Sequence, residues 1–257
     1  MPDKMTRYSR QDIIKFIGES GQERIRKTRA LVIGAGGTGS YTILGLAMFG
    51  FGHIHIIDDD KIEITNLNRQ ALYNEKDIGK YKAEIACKKV KEINGDINVS
   101  YDVSRFDASN YEIVKDFDIV FDCTDNITTR MIINDACDKF GIPWIFTAVS
   151  EFYGQVKLIY PGVTSCYACY NNDPRDIPNC DVTGIVGTAV SITASIGINT
   201  AVKYILGDTN GDLLLIDSLN MEINKIKINK NENCRTCSLH HYKYLDRYYS
   251  NLKGILP

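Results

Sequence analysis

The sequence predicts an α/β fold with a largely parallel sheet, an antiparallel C-terminal extension and a zinc site formed by four cysteines. Three observations predict it. Short β-branched runs alternate with helical patterns in the first half, and a glycine-rich turn follows the first of these runs. The second half carries further strand patterns together with two CxxC pairs. A chain of 257 residues is long enough to bury such a core without disulfides.

The elements follow in chain order. Strands in the first half are predicted at Ala30–Gly34, His53–Asp58, Asn98–Val103, Asp118–Asp122 and Pro143–Ala148, and helices between them at Thr38–Phe49, Lys80–Ile93, Tyr111–Phe117 and Thr128–Phe140. Later strands are predicted at Gln155–Tyr160, Asp212–Asp217 and Glu222–Ile228. The uncharged run Val182–Val202 contains too many small and polar residues for a membrane span, so we expect a helix packed on all sides inside the protein.

Composition excludes several classes of protein. A net charge of -2 and 44% apolar residues argue against a nucleic-acid-binding or membrane-binding surface and against extensive disorder. The N-terminus lacks an apolar signal segment, so we expect a cytoplasmic protein whose eight cysteines are reduced. We expect one domain over residues 1–257, with a nucleotide-binding half at 6–160, a second half with the zinc pairs and a crossover loop at 161–238, and a tail at 239–257.

A nucleotide site is predicted where the first strand meets its helix. Gly34, Gly36, Gly37 and Gly39 allow a tight turn in which phosphate oxygens approach backbone amides at a helix N-terminus. Asp58 stands at the end of the next strand, where it can accept hydrogen bonds from ribose hydroxyls. The pattern predicts a Rossmann-like nucleotide-binding fold but suits NAD and ATP equally.

Groups that suit a triphosphate with magnesium lie further along the chain. Arg69 and Lys82 can neutralise phosphates, and Asp125 can carry magnesium. Each also has a purely structural interpretation. Arg69 would form a surface ion pair, Lys82 would be a solvated helix residue, and Asp125 would cap the helix that follows it.

The ordered motifs resemble those of the ubiquitin-activating-enzyme-like superfamily, in particular the MoeB, ThiF and HesA adenylyltransferases. They are RYSRQ at 7–11, GAGGTG at 34–39, Asp58 with Asp60, NLNRQ at 66–70, Lys82 and DCTDN at 122–126, and the likeness covers about Thr6 to Ser238. The resemblance implies Mg-ATP-dependent adenylation of the C-terminal glycine of a ubiquitin-like sulfur carrier that ends in Gly-Gly.

The same resemblance implies roles for individual residues. Gly37 would lie against the phosphates and Asp58 would bind the ribose. Asn66, Arg69, Gln70 and Lys82 would surround the triphosphate, and Asp125 would hold magnesium beside Asn126. Arg10 would reach the active site of a partner subunit, which implies a homodimer. Arg10, Arg69 and Lys82 would stabilise charge on the phosphates, and no general base is needed because the attacking carboxylate is already ionised.

The cysteines divide into three groups. Cys166, Cys169, Cys234 and Cys237 form two CxxC pairs, the usual way to present four thiolates to a structural zinc ion, so His240 and His241 are left out of the site. Cys87, Cys123 and Cys137 are expected to be buried and inert. Cys180 lies in a polar loop and resembles the crossover-loop cysteine of ThiF, so its role as a nucleophile or a bystander stays open.

The sequence also fits two other functions. The glycine turn with Asp58 also suits an NAD-dependent oxidoreductase, although no histidine stands near these motifs for proton transfer. A catalytically inactive scaffold of the same superfamily is the second, although every charged position named above is present. The sequence ends at Pro257 soon after the zinc pairs, so we expect a separate sulfur donor. The motifs fit molybdopterin, thiamine and thiolation pathways alike.

Overall fold

A computed structural model describes residues 7–171 and 184–246. The strands are β1 (Arg29–Ile33), β2 (His53–Ile57), β3 (Asn98–Asp102), β4 (Ile119–Asp122), β5 (Trp144–Ser150), β6 (Tyr153–Ile159), β7 (Leu213–Asp217) and β8 (Glu222–Ile226). The α-helices are α1 (Ser9–Asp12), α2 (Gly18–Lys27), α3 (Gly37–Phe49), α4 (Lys82–Ile93), α5 (Ile127–Phe140) and α6 (Gly187–Ile205). Short 3₁₀ turns lie at Ile64–Asn66, Glu75–Asp77, Tyr111–Asp116, Tyr167–Cys169 and Lys243–Leu245.

All eight strands form one sheet in the order β3-β2-β1-β4-β5-β6-β7-β8. The pairings from β3 to β5 are parallel, and those from β5 to β8 are antiparallel. The predicted parallel sheet with an antiparallel C-terminal extension is therefore confirmed. Strand β1 lies between β2 and β4, so the order of the strands reverses at β1, which is where ligands bind in open α/β sheets.

Apolar residues pack against both faces of the sheet. On one face α3, α4 and α6 bury residues such as Ile43, Leu46 and Val90. On the other face α5 and the segment 166–169 pack around the fully buried Trp144 and Tyr167. Strand β4 is buried throughout because helices or loops cover both of its faces.

Helix α6 differs from the predicted helix at Val182–Val202, which we expected to be packed on all sides. One face is buried at Ala194, Ile198 and Ala201 against the sheet and α3. The opposite face is exposed at Thr188, Ser195, Asn199 and Lys203, as the four-residue spacing of the last three would place them. The prediction is wrong for the single chain because several polar residues of this segment lie on one exposed face. Val182 and Thr183, the start of the predicted helix, lie outside the described residues.

One smaller difference concerns another predicted helix. The predicted helix Tyr111–Phe117 is a 3₁₀ segment in which only Val114 is buried, so it has little apolar surface to support a longer helix. None of the helices within 7–171 and 184–246 combines the length and apolar character that a bilayer crossing requires.

Candidate nucleotide site and zinc centre

Three loops that carry the predicted site residues meet at the carboxyl ends of β1, β2 and β4. The glycine turn follows β1, Asp58 and Asp60 follow β2, and the segment 122–126 includes the end of β4. Because β1 pairs in parallel with both neighbours, the loops emerge at the same edge of the sheet. The sequence motifs thus converge at the point where the strand order reverses.

Two glycines are required for the turn to close. Gly34 has a φ of +91°, and a Cβ atom there would lie 2.6 Å from the carbonyl oxygen of Cys123. A Cβ atom at Gly39 would collide with the carbonyl oxygen of Gly34. These positions bring β1, α3 and the loop after β4 into close contact.

The other two glycines leave the start of α3 open. Gly36 is the N-cap of α3 and provides no side-chain cap, so side chains do not satisfy the amides of the first turn in this way. The atom nearest to a Cβ at Gly36 would be Gln70 Nε2, at 3.7 Å. Gln70 is only 4% exposed, and its Oε1 atom has no hydrogen-bond partner. Uncapped amides beside an unpartnered amide oxygen fit a bound nucleotide.

Asp58 is tied to the glycine turn. Its Oδ2 accepts a hydrogen bond from the Ala35 amide at 2.7 Å, and its Oδ1 accepts one from the Asp60 amide at 2.9 Å. Burial raises the pKa of the Asp58 carboxyl, while the two amides and the nearby Lys82 charge act in the opposite direction. The amides orient the carboxylate, and its remaining lone pairs can accept from a ribose.

Lys82 opens α4 and turns towards the same edge. Its ammonium group pairs with Asp60 Oδ2 at 2.7 Å, and its side chain is only 7% exposed while that of Asp60 is 66% exposed. The interpretation of Lys82 as a solvated helix residue is therefore wrong. A buried ammonium held by an exposed carboxylate is a cation that an incoming phosphate can approach.

The loop 66–70 lies against the beginnings of two helices. A Cβ atom at Gly187, the first residue of α6, would lie 2.7 Å from the Asn68 carbonyl oxygen, and one at Gly36, the N-cap of α3, would lie 3.7 Å from Gln70 Nε2. Asn66 is buried, and its Oδ1 accepts from the Glu63 amide. The Arg69 guanidinium donates to Thr65 O and Asn68 Oδ1, each at 2.9 Å, and among the residues that the structure describes it does not form the surface ion pair considered above.

Asp125 and Asn126 are neighbours with different roles, since one caps a helix and the other presents an exposed carboxylate at the surface. Asn126, not Asp125, caps α5: its Oδ1 accepts from the Thr129 amide at 3.0 Å. Asp125 is exposed immediately before the cap. Its carboxylate is therefore available at the same edge as Asp58.

Asp122, before this loop, forms a buried ion pair that the sequence did not reveal. Arg130 Nε donates to Asp122 Oδ2 at 2.6 Å, and the side chains are 7% and 0% exposed. Burial lowers and the adjacent carboxylate raises the pKa of Arg130, with a net upward shift that keeps it charged. The only advance signal is the spacing of eight residues between an aspartate that ends a strand and an arginine in the next helix.

Two further residues missed at the sequence level join the glycine turn to its neighbours. Tyr73 is buried and donates to the carbonyl oxygens of Ala35, at 2.7 Å, and Lys82, at 3.3 Å. Ser40 donates to Gly37 O and accepts from the Ala71 amide. Neither residue belongs to a recognisable motif, because their roles depend on distant backbone groups.

Arg10 lies apart from these contacts in the single chain. It is exposed on α1, a helix of four residues of which none is buried. Within 7–171 and 184–246 its side chain has no hydrogen bond or ion pair. The structure therefore does not bring Arg10 into the nucleotide site of its own chain.

The four predicted zinc ligands come together. Their sulfur atoms all lie within 4.8 Å of one another, with Cys166 to Cys234 at 3.5 Å and Cys169 to Cys237 at 3.4 Å. A tetrahedral zinc ion with Zn–S bonds of about 2.3 Å separates its sulfurs by about 3.8 Å. The donor set and its spacing fit such an ion, and His240 instead approaches Asp138 and Tyr242.

Two adjacent residues of α5 hold the two CxxC segments. Asn134 Oδ1 accepts from the Tyr167 amide at 2.8 Å, inside the first pair. Asp135 binds the second pair: Arg235 donates to both carboxylate oxygens at 2.9 and 3.1 Å, and Thr236 Oγ1 donates at 2.7 Å. Both α5 side chains are fully buried. The advance signal is Asn-Asp within an otherwise apolar stretch of helix.

The remaining thiols differ in what the structure describes. Cys87, Cys123 and Cys137 are buried, as expected. Burial raises the pKa of the Cys123 thiol to about 12 and that of Cys137 well above its usual range, so neither is a ready nucleophile. Cys180 lies outside the described residues.

The fold places a candidate nucleotide site at the point where the strand order of an α/β sheet reverses, and comparison with known families identifies the chain as an adenylating enzyme. Residues 8–236 match the ThiF family, and the chain belongs to that family. The SAMP-activating enzyme E1 of Haloferax volcanii is 35% identical over 241 residues, covering 91% of this chain and 89% of the relative. The sulfur carrier protein adenylyltransferase of Thermus thermophilus is 32% identical over 247 residues, with 91% of each chain covered.

Two further comparisons extend the agreement. The sulfur carrier protein ThiS adenylyltransferase of Bacillus subtilis is 38% identical over 206 residues, which cover 79% of this chain and 61% of that protein. Among solved structures, E. coli MccB with ATP has a TM-score of 0.79 at 25% identity, covering 91% of this chain and 75% of MccB. This chain is an adenylyltransferase of the ThiF family, and its fold is similar to that of MccB.

Proposed function

We propose that this enzyme uses ATP to adenylate the C-terminal glycine of a ubiquitin-like sulfur-carrier protein. One observation carries the proposal: an uncapped glycine turn, a buried ammonium and an exposed carboxylate meet at the edge where the strand order reverses. The names of the Thermus and Bacillus relatives support a sulfur carrier as the substrate.

The reaction needs positioning and charge stabilisation. The terminal carboxylate of the carrier attacks the α-phosphate, the bond to the bridging oxygen breaks, and pyrophosphate leaves with that electron pair. An acyl-adenylate remains. The amides at the start of α3 and the side chains of Lys82 and Arg69 would bind the phosphates, and Asp58 would bind the ribose. No proton has to be removed from the nucleophile.

Asp125 is the residue we assign to magnesium. Its exposed carboxylate is a hard oxygen ligand of the kind that magnesium prefers, and Asn126 beside it is fixed as a helix cap. When bound, magnesium would neutralise charge on the phosphates. We assign zinc to the four cysteines, where it would join the segment after β6 to the segment after β8.

We assign the enzyme to a homodimer in which Arg10 serves the partner's site. Three apolar side chains just after α1 are exposed: Ile13 by 74%, Ile14 by 48% and Phe16 by 57%. A second copy would cover this apolar segment and bring Arg10 with it. Mixing Arg10→Ala subunits with Asp125→Ala subunits should restore part of the activity, because a mixed dimer regains one complete site. No restoration after subunit exchange would contradict the shared site.

Pyrophosphate exchange tests the proposed reaction. Exchange of labelled pyrophosphate into ATP should require a β-grasp protein that ends in Gly-Gly, and the same protein without its last glycine is the matched control. Exchange that is absent with every such protein of the same genome would refute the proposal. A second arm replaces Cys180 by alanine: exchange should persist, while a later thiol-dependent step should stop.

The oxidoreductase alternative receives less support. His55, the buried histidine of β2, contacts Ser100 and Asp102 on β3 and therefore has a structural role. His53 begins β2, at the end of the strand opposite Asp58, and stacks edge-on against Phe117. Neither histidine lies at the carboxyl edge of the sheet.

A further inference from the structure

A buried ion pair holds the start of the loop that carries the proposed magnesium ligand. Arg130 and Asp122 meet at 2.6 Å with almost no exposure, although two charges removed from water add little net stability. Asp122 also accepts from the Thr124 amide at 3.0 Å and from Thr124 Oγ1 at 2.7 Å. The pair thus fixes the first three residues of the loop.

Arg130 also binds the peptide group next to Asp125. Its Nη2 donates to Thr124 O at 2.6 Å, and this carbonyl belongs to the peptide unit that joins Thr124 to Asp125. On the other side, Asn126 is fixed as the cap of α5, and its carbonyl oxygen accepts from the Arg130 amide at 3.0 Å. Asp125 is therefore held between two anchored neighbours while its carboxylate stays exposed.

The faces of the guanidinium leave it little freedom to move. Its central carbon lies 4.8 Å from the ring centre of Phe146 and 5.7 Å from that of Tyr167. Nη2 makes an additional hydrogen bond to Thr147 O at 3.2 Å on β5. A lysine keeps the charge but cannot reproduce several directed donors at fixed angles.

We propose that Arg130 is a positioning residue of the nucleotide site, which holds the Thr124–Asn126 backbone so that Asp125 presents its carboxylate to the metal of bound ATP. The inference rests on the proposed function and adds a residue that would act through Asp125, because its own guanidinium is buried against Asp122 and Thr124. Its effect should appear in the dependence of ATP binding on magnesium, because the backbone that it holds carries the proposed metal ligand.

The test compares full-length wild type with Arg130→Lys. The thermal stabilisation by a constant ATP concentration is measured while the free magnesium concentration is varied. In Arg130→Lys, half-maximal stabilisation should need about 10–100-fold more magnesium, which is the usual cost of losing a group that orients a metal ligand. At saturating magnesium, the thermal stabilisation of Arg130→Lys should approach that of wild type. Asp125→Ala should show no dependence on magnesium.

Two companion variants separate positioning from general damage. Arg29→Lys changes an arginine whose guanidinium also lies over a ring, that of Phe117, but at the opposite end of β1, and its magnesium dependence should match wild type. Thr124→Ala removes one bond to Asp122 at a partly buried position, so it remains measurable if Arg130→Lys fails to fold. It should shift the magnesium midpoint in the same direction by a smaller factor.

An unchanged magnesium midpoint in Arg130→Lys would overturn the inference alone, even if the stabilisation were lowered at every magnesium concentration. If Arg130→Lys does not fold, an unchanged midpoint in Thr124→Ala would overturn it. A wild-type protein whose stability does not respond to ATP and magnesium would overturn the inference together with the proposed function.

Discussion

Two arginine–aspartate pairs with fully buried carboxylates lie along α5 and have different roles. Near its start, Arg130 projects from the helix to Asp122 at the end of β4. Further along, Asp135 projects from the helix to Arg235, which lies between two of the proposed zinc ligands, Cys234 and Cys237. One pair is formed over eight residues and the other over one hundred. The first pair holds the segment 122–126, which carries the proposed magnesium ligand, and the second pair joins the segment of Cys234 and Cys237 to α5. One helix therefore supports both the candidate nucleotide site and the candidate zinc site.

The largest predicted effect concerns the pair beside the four cysteines. Asp135→Ala should lower the free energy of unfolding by about 3–5 kcal/mol, because it removes a fully buried carboxylate that accepts hydrogen bonds from the partly exposed Arg235 and the buried Thr236 hydroxyl. Urea unfolding measures the loss, and zinc content measured after gel filtration should fall with it. As a control, Asp208→Ala breaks a surface pair with Lys203 and should cost no more than about 1 kcal/mol. Equal losses in the two variants would contradict the role of Asp135 in holding the second CxxC segment.

At the other end of α5, Asp125→Ala should impair chemistry instead of stability. Loss of an electrostatic contact to the transferring group is expected to reduce pyrophosphate exchange by about 10²–10³-fold or more. The carboxylate is exposed, so the unfolding free energy should change little. Asp116→Ala, at another exposed aspartate, is the control and should keep full exchange. A variant of Asp125 that retains wild-type exchange would refute its assignment.

A smaller effect should distinguish Asn134 from its neighbour. Asn134→Ala leaves the buried Tyr167 amide without its acceptor and should cost about 1–3 kcal/mol, less than Asp135→Ala because no charge is stranded. Zinc should be retained but released faster to a chelator. Asn199→Ala, on the exposed face of α6, should change the stability by less than about 0.5 kcal/mol. A larger loss for Asn134 than for Asp135 would reverse the ranking of the two contacts.

The smallest expected effect concerns the reactivity of the Cys123 thiol, which lies within the segment 122–126. With a pKa of about 12, Cys123 has about one thiolate in ten thousand molecules at pH 8, and the thiolate fraction rises only at higher pH. Iodoacetamide should leave Cys123 unmodified in the folded protein and modify it in urea, as peptide mass spectrometry can show. Rapid modification of the folded protein would mean that the loop opens far more readily than the contacts around Arg130 allow.

Local sequence predicted the features that depend on local rules. The alternation of strands and helices, the glycine turn with Asp58 and the spacing of each CxxC pair all follow from neighbouring residues, and the structure brings each set together. The exposed face of α6 also follows a local rule, because Ser195, Asn199 and Lys203 are four residues apart. The absence of charged residues between Val182 and Val202 indicates a buried helix instead, and this indication is the misleading one.

Contacts between distant residues explain what sequence could not predict. Asp135 reaches Arg235 and Thr236 across about a hundred residues, and Asn134 reaches Tyr167 across thirty-three. Lys82 is buried because Asp60, on a different loop, supplies its counter-charge. In each case the residue type was ordinary for a helix, and only tertiary packing shows the buried polar partner.

Direct detection of the acyl-adenylate tests the central claim. The enzyme is incubated with magnesium, ATP and a Gly-Gly-ending carrier encoded in the same genome, and intact-mass spectrometry follows the carrier. We expect a gain equal to one adenylyl group on the carrier, dependent on its terminal glycine and absent with Asp125→Ala. A wild-type enzyme that binds both partners yet never adds that mass would contradict the assignment.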